Sequence, residues 1–217
     1  MDEDMTRRLA AWSGLVAATL FAIGNAIWAL GLPSGGTPTA EVVSFYESRA
    51  VRIVVGASVS ILSLALLVLF AAALRSVVAR TGDEEVLATT AFAGLVLTAA
   101  TGLGAESVNM IGGLRAAEGQ VDATLARAVH EISQMLGSVA SGVGVGVFAL
   151  ALAVAAHRSG ALMPRYAAAI IAVSGLAALS PLSHFNVVPG FLLILVTLTA
   201  ATALLRGPWP RTTQRRA

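Results

Sequence analysis

No cysteine occurs among the 217 residues, which excludes disulfides, thiolate metal sites, iron–sulfur clusters and thiol redox chemistry together. Lysine is absent as well. All fourteen positive residues are arginines, scattered through short segments rather than gathered into the basic stripe that a phosphate backbone requires. Nucleic acid is therefore set aside as a partner, despite a formal net charge of +2 and a pI near 9.9. The chain also lacks a P-loop, a G-x-S-x-G elbow and a C-x-x-C pair.

What remains is apolar. Hydrophobic residues make up 57% of the chain and the mean hydropathy is +0.82, beyond what a soluble domain leaves in water. This composition predicts an all-α, polytopic membrane bundle forming a single domain over 1–217. Six spans are expected at about 9–31, 53–74, 86–113, 126–156, 163–181 and 185–205, each bounded by charge, Pro or Gly, with 207–217 as a flexible tail. The first apolar stretch, Leu9 to Leu32, exceeds the 7 to 15 residues of a signal core and reads as a retained signal-anchor helix.

Orientation follows from arginine counts in alternate loops. The N-terminus, second loop, fourth loop and tail hold ten; the first and third loops hold four, namely Arg49, Arg52, Arg115 and Arg127. Both termini are thus expected in the cytoplasm. Trp12, Trp28, Tyr166 and Trp209 fall near span ends, the level that amphipathic rings prefer. In the first outer loop Thr37 offers a cap and Pro38 a first helical position, and Val42, Phe45, Tyr46 and Arg49 then repeat at helical spacing. That spacing predicts either a short surface helix, lying on the membrane or folded over the mouth of the bundle, or a plain connector. The second span, with its ILSLALLVLF run, is the most lipid-like and is expected at the periphery.

The fourth span carries the polar signal. His130, Gln134, Gly137, Ser138, Ser141 and Gly144 share one helical face, with Glu131 at its edge. The third span answers with Gly94, Thr98, Thr101, Gly102, Ala105, Glu106, Asn109 and Gly113. Small residues let membrane helices approach closely, so these two spans are expected to form an antiparallel hairpin. Depth follows from rise. Glu106 lies roughly 10 Å below one helix end, and His130 and Gln134 about 6 and 12 Å below the other. Asn25 lies at the same level, and His184 and Asn186 stand at the mouth of the last span. Eight polar residues are thus expected in the outer half: Asn25, Glu106, Asn109, His130, Glu131, Gln134, His184 and Asn186.

Ionisable groups in hydrocarbon usually face a cavity and a partner. The expected acid and base are Glu106 and His130, with Glu131 modulating and Asn25, Asn109, Gln134, His184 and Asn186 contacting a ligand. The structural alternative has the two glutamates reaching the headgroups and His130 locking the hairpin. His130-Glu131-Ile132-Ser133-Gln134 resembles a zinc helix but puts Gln where the second His belongs. No metal and no cofactor are expected.

The run His157-Arg158-Ser159-Gly160-Ala161-Leu162-Met163-Pro164-Arg165-Tyr166 resembles the "RSGyLPRwlg" connector of the bacterial membrane family catalogued as domain of unknown function 4386, with Met163 inserted and Tyr166 in place of Trp. Arg8-Leu9-Ala10 and the His near the start of the fourth span are similar too. The resemblance implies a six-helix protein of the bacterial cytoplasmic membrane and carries no activity. The leading expectation is a pocket in the outer leaflet that binds, and transforms by acid–base chemistry, a small lipophilic molecule such as an isoprenoid or lipid. Two alternatives stand beside it: a non-catalytic accessory subunit, with a second copy or another membrane protein as partner, and a proton-linked transporter. The transporter needs polar groups in both halves of the membrane, and the inner half is bare.

Overall fold

The computed structural model describes residues 3–34, 36–79, 85–159, 163–179 and 188–206. Parts of the second and fifth loops, at 80–84 and 180–187, and the tail with Trp209, lie outside the described residues. Helices form α1 (Glu3–Trp28), α2 (Thr39–Val78), α3 (Glu85–Ala117), α4 (Ala123–Gln134), a π-helical turn (Met135–Ala140), α5 (Ser141–Ser159), α6 (Arg165–Leu179) and α7 (Val188–Arg206). No strand occurs among the described residues. Among the described residues five stretches are long and apolar enough to cross a membrane: Met5–Trp28, Thr39–Val78, Glu85–Ala117, Ala123–Arg158 and Val188–Leu205. α6 has 15 residues, about 22 Å of helix, short of a hydrocarbon core of about 30 Å.

Packing closes the helices into a ring in the order α1, α2, α3, α5, α6, α7 and back to α1, with α4 set against α2 and α3 at one end. Glycine sets the closest approaches. A Cβ on Gly94 of α3 would lie 2.5 Å from the Phe148 nitrogen and 2.8 Å from the Gly144 oxygen of α5, so these backbones touch where side chains elsewhere intervene. Gly24 of α1 and Gly56 of α2 approach in the same way.

Two expectations change. The first outer loop does not make a separate surface helix. From Thr39 to Val55 no Gly or Pro interrupts the chain, so α2 runs unbroken for 40 residues, about 60 Å and twice the hydrocarbon thickness. The second span keeps an outward face at Val55, Leu62 and Leu69, yet it is more deeply packed than a peripheral helix would be. It lies between α1 and α3, burying Leu64, Leu67, Phe70 and Leu74. Its lipid-like sequence reads the same against apolar neighbours as against acyl chains. The fourth span is also less regular than its periodicity suggests. The turn at Met135–Ala140 widens to π geometry, and Ser141 Oγ donates back five residues to the Leu136 oxygen at 3.2 Å. Such turns are common beside functional sites.

Candidate functional site

The end of the bundle that carries the 29–38 and 118–122 connections is built from polar groups under an aromatic cap. Trp28, Val42, Phe45, Tyr46, Ile53, Ala126 and Val129 form that cap, joining the end of α1, the extension of α2 and the start of α4. Three arginine contacts hold it. Arg49 donates from Nη1 to the Leu30 oxygen and stacks over the Phe45 ring at 5.0 Å. Arg127 Nη1 donates to the Thr37 oxygen at 2.9 Å, tying α4 to the preceding connection.

Below the cap lies a cavity of about 260 Å³ between α1, α3, α4 and α7. Its walls are mostly apolar, with Phe21, Trp28, Ala29 and Leu32 from α1 and its end, and Phe191 and Ile194 from α7. Ala26, Leu30 and Phe191 are exposed members of the lining, so the cavity opens sideways between α1 and α7. Five polar side chains enter the wall: Asn25, Glu106, Asn109, Ser133 and Gln134.

Glu106 is 5% exposed. Its carboxyl lies next to the Ser60 hydroxyl of α2, yet Glu106 Oε2 and Ser60 Oγ are both buried without a hydrogen-bond partner among the described residues. No ion pair to Glu106 forms among the described residues. The same residue lines a second, smaller cavity of about 40 Å³, shared with Phe21, Thr98, Ser141 and Gly190. Glu106 thus stands between a ligand-sized space and a water-sized one.

The other wall residues are positioned by their own bonds. Asn109 Oδ1 accepts from Tyr46 Oη at 3.2 Å, across α2 and α3. Ser133 Oγ donates to the His130 oxygen at 2.9 Å, one turn back in α4. Asn25 Nδ2 donates to the Phe21 oxygen at 2.9 Å, leaving its own carbonyl oxygen uncommitted among the described residues. Ser138 Oγ reaches Gln134 Oε1 at 3.5 Å, at the limit of a hydrogen bond. Trp28 buries its indole Nε1 without a partner.

Of the eight residues expected from the sequence, Asn25, Glu106, Asn109 and Gln134 line one cavity. His130 and Glu131 do not. His130 is fully buried beside the backbone of Ser34, and among the described residues no hydrogen bond joins its ring to Glu106. It sits one turn from Ser133, beneath the cap rather than in the wall. Glu131 is a helical step of about 100° further round; its side chain is 57% exposed and pairs with Arg127. His184 and Asn186 lie outside the described residues. Among the described residues no three His, Asp or Glu side chains converge as metal ligands would.

Tyr46, Ser133, Ser60 and the buried Trp28 were missed in the sequence. Tyr46 carried a signal: with Val42, Phe45 and Ile53 it forms an apolar stripe, and Gly112 leaves room for its ring, since a Cβ there would lie 2.8 Å from Tyr46 Cε1. Tyr166 is exposed at the start of α6 and Trp12 in the third turn of α1, whereas Trp28 turns inward. Comparisons with protein families, curated proteins and solved structures yield no match.

Proposed function

We propose that the cavity binds a small lipophilic molecule with a polar or unsaturated head, entered sideways from the bilayer between α1 and α7, and that Glu106 acts on that head as a proton donor. The observation that carries this reading is Glu106 in the wall of an apolar cavity of about 260 Å³, its Oε2 buried without a hydrogen-bond partner among the described residues. Ligand sites are mostly apolar with a few convergent polar groups, and this wall has that character. Unpartnered buried polar atoms each cost about 1–3 kcal/mol, a cost a ligand head offsets by bonding them.

The setting belongs to the proposal. In this reading α6 completes six spans, both termini lie on the cytoplasmic side of a bacterial cytoplasmic membrane, and the cavity lies in its outer leaflet. The arginine asymmetry and the resemblance to the family of unknown function 4386 support that placement. An isomerase or cyclase acting on an isoprenoid fits the groups present. A protonated Glu106 gives its proton to one carbon of a C=C bond, forming a C–H bond and a carbocation. The resulting carboxylate then takes a proton from a neighbouring carbon, restoring the acid and a shifted double bond with no further reactant. This version does not require His130.

Mass spectrometry of molecules carried by the detergent-purified protein tests the reading. A lipid or isoprenoid retained by the wild type, and reduced tenfold or more in Glu106→Gln with folding intact, is the expected result. Equal retention in both proteins, or no retained species in either, overturns it. The buried Tyr46–Asn109 bond favours a second reading, an accessory subunit whose polar groups only fix packing. Under that reading Glu106→Gln changes stability, and cellular effects follow protein level.

A further inference from the structure

At the end of the bundle opposite the Glu106 cavity, α5 and α6 leave a larger groove of about 460 Å³. The two helices touch near Gly175, where a Cβ would lie 2.9 Å from Ala149 Cβ and 3.2 Å from the Leu150 nitrogen. Toward the α5–α6 connection the facing residues are Ala153, Ala168, Ala169 and Ala172, too small to fill the space between the helices. Val154 and Ala169 are exposed, so the groove opens outward, away from the bundle core.

Its rim is basic. Arg158 and His157 end α5, Arg165 begins α6, all three line the groove, and no acidic side chain does. Tyr166 beside them is 68% exposed. Arginine with an exposed tyrosine at a helix end marks the headgroup level of a bilayer. From Arg165 to Ala172, and from Arg158 back to Leu150, the apolar wall descends about 10–12 Å into the hydrocarbon below that level.

We propose that this groove is a binding site for one anionic phospholipid, its phosphate held by Arg158 and Arg165 and the upper part of an acyl chain lying along the alanine wall. Charge and shape both point to that occupant. Two guanidiniums match a phosphate in geometry, and basic pockets between membrane helices recognise anionic headgroups. A neutral lipid gains nothing from the rim, and a free phosphate gains nothing from the wall. The site is separate from the Glu106 cavity, and its test does not depend on what that cavity binds.

Native mass spectrometry of the full chain in detergent, with phosphatidylglycerol or phosphatidylcholine of identical acyl chains added, measures the binding. One phosphatidylglycerol per chain, bound at least five-fold more tightly than phosphatidylcholine, is expected. Arg165→Gln weakens phosphatidylglycerol about five-fold, the worth of one basic side chain near a membrane surface. Ala169→Phe fills the groove from an exposed position and lowers binding of both lipids without touching the core. Equal affinity for the two lipids overturns the proposal. So does selective binding that survives either substitution, because general attraction to the arginine-rich chain is insensitive to a filled groove.

Discussion

Away from the Glu106 cavity, α3 and α5 meet backbone to backbone at Gly94 and Gly144, and Phe70 packs edge-on against Phe148 with ring centroids 6.5 Å apart. At the cavity end the same two-helix neighbourhood carries Glu106, and buried polar atoms of Trp28, Ser60, Glu106 and His130 lack partners. In the first region Thr98 Oγ1 donates to the Gly94 oxygen at 3.0 Å, inside its own helix, and a single buried hydroxyl, Thr197 Oγ1 of α7, lacks a partner among the described residues. One region spends its sequence on close contact, the other keeps polar atoms away from protein partners. A bundle needing only stability gains nothing from the second arrangement, since hydrophobic replacements fill such sites at lower cost.

The difference is sharpest in the response to truncation. Phe148→Ala removes a fully buried ring from the tight region and is expected to lower unfolding free energy by about 3–5 kcal/mol, the range for buried aromatics. Retained helix content across a titration with sodium dodecyl sulfate measures it. A loss under about 1 kcal/mol means this end repacks freely and the contrast fails.

Tyr46→Phe probes the cavity end. The substitution keeps the ring in its place against Gly112 and removes one hydrogen bond to Asn109. The expected loss is about 1 kcal/mol, since Asn109 also faces the cavity and keeps access to another polar partner. The same titration reads it, and any retained ligand falls with it, because Asn109 loses the group that orients it. A larger loss, near 3 kcal/mol, with ligand retention unchanged, assigns the Tyr46–Asn109 bond to packing alone.

What was legible in the sequence is what periodicity and rise determine. Counting residues from helix ends put Asn25, Glu106, His130 and Gln134 near one level, and three of these, Asn25, Glu106 and Gln134, line the same cavity beside Asn109. The small-residue stripes of the third and fourth spans meet where expected, with Thr101 and Ser141 hydroxyls 2.9 Å apart. Lateral position was harder to read. His130 shares the face of Gln134, but a turn of height moves it from the wall to a packed position under the cap. Tyr46 was only half visible: it repeats with Val42 and Phe45 at helical spacing, but Glu41, Glu47, Arg49 and Arg52 surround it in sequence, so the stretch read as a short helix on the membrane or over the bundle mouth, or as a plain connector. The fold adds that α2 runs unbroken from Thr39 and brings Tyr46 onto α3 and α4.

Glu131 gives the smallest expected effect and the cleanest separation of the two glutamates. Both lie at the cavity end, and composition alone gives no reason to prefer one. The structure turns Glu106 inward and leaves Glu131 exposed, in an ion pair with Arg127 four residues earlier on α4. An exposed pair of this spacing contributes about 0.5 kcal/mol or less and is screened by salt. Arg127 keeps its bond to the Thr37 oxygen without it, so the cap stays fastened. Glu131→Gln is therefore expected to change unfolding free energy by no more than about 0.5 kcal/mol, and to leave ligand retention at the wild-type level where Glu106→Gln abolishes it. Retention lost in Glu131→Gln but kept in Glu106→Gln moves the acid function to the surface pair and removes the reason for assigning chemistry to the cavity.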